Sequence, residues 1–108
     1  PLGEAGVAAM LKSKHLKNLT ELNLTACELG DAGLKALAGA KNLPALRKLV
    51  LTGNEFTGEG VTALVASPVF ARLTHLDLSH NPITHVGARA LAAGECALEL
   101  LDVRRCGI

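Results

Sequence analysis

The chain of 108 residues carries eleven basic and ten acidic side chains, a net charge of +1, and is 49% hydrophobic but only 2% aromatic. This balance supplies neither the positive field nor the aromatic stacking surfaces typical of nucleic-acid-binding proteins. The apolar runs span only a few residues, far short of the roughly 18–20 needed to cross a bilayer. We therefore predict no nucleic-acid partner, no membrane partner and a core built from leucine and alanine.

One leucine-rich segment recurs four times and organises the whole chain. Its copies read LTELNLTACEL, LRKLVLTGNEF, LTHLDLSHNPI and LELLDVRRCGI, and they start at positions 19, 46, 73 and 98. The first two spacings are 27 residues and the last is 25. Within each copy, apolar and polar residues alternate over a short stretch, as in Leu22 and Leu24. This alternation predicts a strand with one buried and one solvent-facing side.

A second recurring unit, rich in alanine, lies between these segments. It covers residues 3–10, 30–37, 57–64 and 84–91, and its fourth position is always glycine. Apolar residues recur in it at helical spacing, and three of the four units carry a carboxylate in the first turn, which favours amphipathic helices. Each repeat is thus predicted to be strand, turn, helix and return loop. Parallel strands need such a long crossover, so we expect a parallel sheet with the helices packed behind it.

The pattern L-x-x-L-x-L-x-x-N/C-x-L resembles the leucine-rich repeat over the entire chain, and its long helix-bearing units look like the ribonuclease-inhibitor-like subfamily and related bacterial and NOD-type receptor arrays. The resemblance implies an α/β right-handed solenoid, a horseshoe arc with a parallel sheet on the concave face and helices on the convex face. We predict one array over 1–108, with a partial repeat at 1–18, repeats starting at 19, 46 and 73, and a partial repeat at 98–108. Neither end carries a visible polar cap, so we expect a fragment of a longer array whose apolar ends favour end-to-end self-association.

The turn after each strand carries an asparagine or a cysteine. In the resembled family this side chain hydrogen-bonds the backbone of its own and adjacent turns, so we expect a structural ladder of Cys27, Asn54, Asn81 and Cys106. Three cysteines without a CxxC pair argue against a disulfide framework and a zinc site. Cys27 and Cys106 lie three rungs apart, about 14 Å, whereas a disulfide needs Cα atoms within about 7 Å. We expect Cys96 to pack as a small apolar side chain, and we predict a reducing, cytoplasmic location.

Two arrangements of polar residues invite a catalytic or a metal-binding interpretation. His75, Asp77 and Ser79 alternate along one strand and are therefore predicted to face solvent on the same side, but a hydrolase needs its nucleophile on a sharp turn beside an oxyanion hole. His75, Asp77 and Asp102, with His80 nearby, offer metal-ligand chemistry, yet such groups on an open sheet more often contact water. We predict no enzyme activity, no metal and no cofactor.

The variable solvent-facing positions of the sheet form columns that we predict to bind a partner. Repeat proteins commonly bind through such a face, and its mixed charges suit a protein or peptide better than a polyanion. The predicted binding residues are Glu21, Asn23, Lys48, Val50, His75, Asp77, Leu100, Asp102, Arg104 and Arg105. We thus predict a protein–protein interaction module. Two alternatives stay open: a structural spacer or recognition arm within a larger receptor, inhibitor or ligase-type effector, and a face that only keeps the chain soluble.

Overall fold

A computed structural model describes residues 3–13, 16–94 and 98–107. Four three-residue strands alternate with helices along this part of the chain. The strands are β1 (Glu21–Asn23), β2 (Lys48–Val50), β3 (His75–Asp77) and β4 (Leu100–Asp102). The helices are α1 (Gly3–Met10), α2 (Gly30–Ala38), α3 (Gly58–Val65), α4 (Pro68–Arg72) and α5 (Thr84–Ala93). Cys96, predicted above to pack as a small apolar side chain, lies outside the described residues.

The strands form one parallel sheet in the order β1-β2-β3-β4. Their register places equivalent positions of the repeats side by side, so that Leu22, Leu49, Leu76 and Leu101 are neighbours across the sheet. Every connection between adjacent strands carries a helix, as parallel pairing requires. The predicted α/β architecture, with a parallel sheet and one main helix for each connection, is confirmed.

The core lies between the sheet and the helices and is almost entirely aliphatic. Leu49 and Leu76 of the central strands are 0% and 2% exposed, and the helices contribute Leu34, Leu37, Val61 and Leu64 to the same core. Neighbouring helices pack closely, in the order α1, α2, α3 and α5. A Cβ atom on Gly58 would lie 2.6 Å from Val86 Cβ, so glycine at this position permits the approach of α3 to α5.

Helix α4 is an element that the repeat pattern does not predict. It occupies the return segment of the second full repeat, where the preceding repeat has only turns. Ser67 is its N-cap, with Oγ accepting a hydrogen bond from the backbone N–H of Phe70, and Pro68 is its first helical residue. Serine followed by proline is a strong start signal for a helix. These two residues therefore predict the start of α4, although the repeat pattern does not.

The two edges of the sheet are less buried than its centre. Leu22 in β1 is half-buried and Leu101 in β4 is 38% exposed, although both occupy the position of Leu49 and Leu76. Beside Leu101 lies an apolar groove of about 340 Å³. Its lining residues are Ala88, Leu91, Ala92, Leu101 and Val103. The burial of a repeat's leucines therefore depends on a neighbouring rung on each side.

Candidate binding surface

The first and third residues of each strand flank the leucine that enters the core, and they face the opposite side of the sheet. Together these eight side chains are called the open sheet face. One column contains Glu21, Lys48, His75 and Leu100, and the other contains Asn23, Val50, Asp77 and Asp102. All eight are exposed or half-buried, whereas the leucines between them in the central strands are buried. The structure thus brings the predicted strand residues onto one continuous surface.

Two depressions of about 250 Å³ each lie on the open sheet face. The first, called the β3 depression, is lined by Lys48, Leu49, Val50, His75, Leu76, Asp77, Leu100 and Asp102. The second is lined by Glu21, Leu22, Asn23, Lys48 and Val50. Each combines aliphatic and charged groups contributed by neighbouring strands.

The third strand position has a second function that the alternation pattern did not reveal. Asp77 Oδ1 accepts hydrogen bonds from the backbone N–H of Ser79 at 2.9 Å and from Ser79 Oγ at 2.6 Å. Asn23 binds Thr25 in the same way, and the N–H of Arg104 donates to Asp102 Oδ1 at 3.1 Å. Such Asx turns follow β1, β3 and β4, whereas β2 ends at Val50 without one. The signal in those three copies is an asparagine or aspartate at the last strand position.

The side chains of His75, Asp77 and Ser79 do not form a catalytic triad. Ser79 lies in the turn rather than on the strand and is only 4% exposed, so the prediction that it is solvent-facing is wrong. Its hydroxyl donates directly to Asp77 and lies 3.3 Å from Thr52 Oγ1. His75 Nδ1 instead lies 2.9 Å from Thr74 Oγ1. The histidine therefore does not stand between serine and aspartate, as general-base catalysis would require.

Asp102 and Arg104 form an exposed ion pair at the edge of the open sheet face. Arg104 Nε lies 3.0 and 3.1 Å from the two carboxylate oxygens, and Arg104 Nη2 lies 2.7 Å from Oδ2. Hydrogen bonds from the guanidinium hold the pKa of the Asp102 carboxyl below its ordinary value, so this group stays charged at neutral pH. Because the Arg104 side chain is 82% exposed, the pair contributes little to stability.

Arg105 and His80 lie beyond the strands, in the turns that follow β4 and β3. Arg105 and His80 occupy equivalent turn positions, with φ of 55° and 59°, and both are exposed. Across the described ranges, no group of three His, Cys, Asp or Glu side chains is arranged to hold a metal ion. The suggested ligands His75, Asp77, Asp102 and His80 do not form such a cluster.

The turns of successive repeats are joined by asparagine side chains. Asn54 Oδ1 accepts from the backbone N–H of Cys27 at 2.8 Å and of Leu29 at 3.4 Å, and its Nδ2 donates to three carbonyls. Asn81 makes the equivalent bonds one repeat later, accepting from the N–H of Asn54 and Phe56. These bonds satisfy backbone groups that burial would otherwise leave unpaired.

The two cysteines at this turn position behave differently from the asparagines. Cys106 Sγ donates to the carbonyl of Leu78 in the preceding repeat at 3.1 Å, and Cys27 Sγ donates to the carbonyl of Thr25 within its own turn at 3.4 Å. Both thiols are free. A thiol donates weakly and accepts poorly, so a cysteine cannot replace both functions of the asparagine amide.

Comparison with known protein families agrees with this geometry. A family model described as Leucine Rich repeat matches residues 15–38, 42–65 and 73–92, which together are more than half of the chain. The chain belongs to the leucine-rich-repeat family. Each matched segment contains one strand and most or all of the helix that follows it. A search of curated proteins finds no significant match.

Membership of the leucine-rich-repeat family is informative about the kind of activity. Leucine-rich repeats generally mediate protein–protein interaction and are generally non-catalytic. Among the described helices of this leucine-rich-repeat chain, none combines the length and the hydrophobicity that crossing a bilayer requires.

Proposed function

We propose that this leucine-rich-repeat array binds a protein or peptide through the open sheet face and performs no catalysis of its own. The observation that supports this is the register of the sheet, which aligns eight variable side chains in two columns above buried leucines. The buried leucines hold the open sheet face rigid, so a partner would bind a preformed surface. Arg104 and Arg105 extend it at the turn after β4.

The charge of this surface favours a protein partner. Carboxylates of Glu21, Asp77 and Asp102 and the cations of Lys48 and Arg104 occur on the same surface. Such a mixed pattern gives complementarity to a partner with charges of both signs, whereas a polyanion would be repelled from the carboxylates.

We infer that the sheet forms the concave side of a right-handed arc. Adjacent strands are about 4.8 Å apart and packed helices about 8–10 Å apart, so stacking bends the array toward the strands. Crossovers between parallel strands are right-handed in almost all proteins. With a helix in every connection, this geometry supports placement in the ribonuclease-inhibitor-like subfamily. The free thiols of Cys27 and Cys106 support a reducing, cytoplasmic location.

Charge reversal on the open sheet face should weaken partner binding. Peptides selected from a phage-displayed random library against the chain would serve as probes, and their sites would be mapped by backbone amide chemical shifts. We expect Lys48→Glu or Arg104→Glu to weaken the selected peptides by about tenfold, because each loses a charge contact. Arg89→Glu, an exposed position on α5, is the matched control and should leave binding unchanged.

The same selection tests the alternative of a structural spacer. A spacer would yield peptides that map to the helices or to the turns, and the reversals at Lys48 and Arg104 would have no effect. That result would contradict the proposed binding function.

We propose in addition that the edge of β4 associates with the β1 edge of a second copy. In the described part of the chain each of these strands pairs on one side only, and the apolar groove beside Leu101 is open. Because the rungs repeat, a head-to-tail contact would continue the same strand register. We expect sedimentation velocity to show mass increasing with concentration, and Leu101→Lys to abolish the increase. A chain that stays monomeric at every concentration would contradict this contact.

A further inference from the structure

We propose that the β3 depression binds a single basic side chain of the partner, with arginine preferred over lysine. This inference rests on the proposed function and specifies the chemistry of the partner at the centre of the open sheet face. It is carried by an unused carboxylate oxygen, an exposed aliphatic wall and the size of the depression.

The carboxylate that would receive the basic group is Asp77. Its Oδ1 is occupied by the turn of Ser79, but within the described residues no group donates to its Oδ2. Asp102 lies directly beside it in the strand register, about 4.8 Å away between backbones. Asp102 has its own cation in Arg104, whereas Asp77 forms no ion pair among the described residues. Arg104 also attracts Asp77 electrostatically but forms no ion pair with it, so the depression presents on this side a carboxylate without an ion-pair partner.

The strands on either side of β3 supply the apolar contacts. Leu100 of β4 is 59% exposed and Val50 of β2 is half-buried, and both line the depression. A basic side chain has an aliphatic stem and a charged head, so it can contact Leu100 and Val50 while its head reaches Asp77. An acidic side chain would be repelled by the two carboxylates, and a purely aliphatic one would desolvate Asp77 without offering a donor.

The depression also contains the cation of Lys48. Lys48 is at the start of β2, in the other column and on a different strand from Asp77, and forms no ion pair with it among the described residues. Its ammonium group can bind a carboxylate of the same partner.

Size and geometry favour one arginine over a larger ligand. A volume of about 250 Å³ is below the roughly 300–1,000 Å³ typical of small-molecule sites, and suits a single side chain. A guanidinium offers several donors in a plane, and Arg104 already uses this geometry on the neighbouring Asp102. Lysine, with a compact ammonium group, would make fewer directed bonds to Asp77.

The phage-selected peptides described above test this inference. We expect those that map to the β3 depression to contain arginine. Asp77→Asn should weaken them at least about tenfold, because a charge-assisted hydrogen bond is lost. The asparagine keeps an acceptor for Ser79, so the turn is preserved. Replacing the peptide's arginine by lysine should weaken binding less than replacing it by glutamine.

Two further variants test the contribution of the charge and of the aliphatic contact separately. Glu55→Gln removes a carboxylate from an exposed turn and should leave the affinity unchanged. Leu100→Ser removes the aliphatic wall at an exposed position and should weaken binding by about threefold while the fold is retained.

The outcomes distinguish this inference from the function on which it rests. Peptides that map to the open sheet face but bind equally well to Asp77→Asn, or equally well with glutamine in place of arginine, would overturn the inference and leave the proposed function standing. Peptides that map only to other surfaces would contradict both.

Discussion

Replacing Leu76 by alanine is expected to lower the free energy of unfolding by about 3 kcal/mol, within the range for buried leucines. Leu76 is 2% exposed and lies between Leu49 and Leu101 in the middle of the sheet. Truncation removes apolar contacts and leaves a cavity that rungs on both sides prevent from collapsing. Because small domains are stable by only about 5–15 kcal/mol, the loss is large. Urea denaturation followed by far-ultraviolet circular dichroism would measure it.

Leu101 provides the matched control for this substitution. It occupies the same repeat position in β4 but is 38% exposed. Leu101→Ala should therefore cost less than half as much as Leu76→Ala, since much of its side chain already contacts water. Equal losses at the two positions would contradict the difference in burial between central and edge rungs.

Replacing Asn54 by alanine is expected to destabilise the chain by about 3 kcal/mol, although it removes only a small polar side chain. The substitution leaves the N–H groups of Cys27 and Leu29 without an acceptor and the carbonyl of Leu24 without a donor, whereas the carbonyl of Leu51 keeps its bond from Asn81. Asn54 is 0% exposed, so its removal would strand groups that the fold shields from water. Unsatisfied buried groups cost about 1–3 kcal/mol each, less where water can enter. The same denaturation experiment would measure the loss.

Asn23→Ala is the matched control for the asparagine substitution. Asn23 is exposed, and its side chain contacts only the nearby Thr25. We expect a loss below about 1 kcal/mol, as for an exposed hydrogen bond. If Asn54→Ala were as mild as Asn23→Ala, the bonds between successive turns would contribute nothing to stability.

The repeat period determined most of the fold. Stacked units of nearly equal length place equivalent residues side by side, so the spacing from Leu22 to Leu49 to Leu76 already specified the strand register. Alternation within each copy specified which side chains enter the core. These inferences hold because the periodicity of a strand and the stacking of repeats are set by backbone geometry.

The repeat period did not predict the structure at the ends of the helices and strands. The repeat pattern predicted a return loop over residues 66–72, whereas helix α4 begins there at Pro68, with Ser67 as its N-cap. It predicted a solvent-exposed Ser79, whereas the hydroxyl is buried and donates to Asp77. Hydrogen bonds to individual side chains decided both features, and repeat spacing does not encode them.

The sequence by itself determined the leucine-rich-repeat architecture, the order of the strands and the residues of the open sheet face, because each follows from periodicity along the chain. Only the tertiary structure decided which groups of that face remain available. The β3 depression joins Val50, Asp77 and Leu100 from three strands, and only Oδ1 of Asp77 is occupied by its own turn. The availability of these groups depends on which carboxylate oxygen the local turn uses, and on burial and on contacts between strands distant in sequence, which form only when the repeats are stacked.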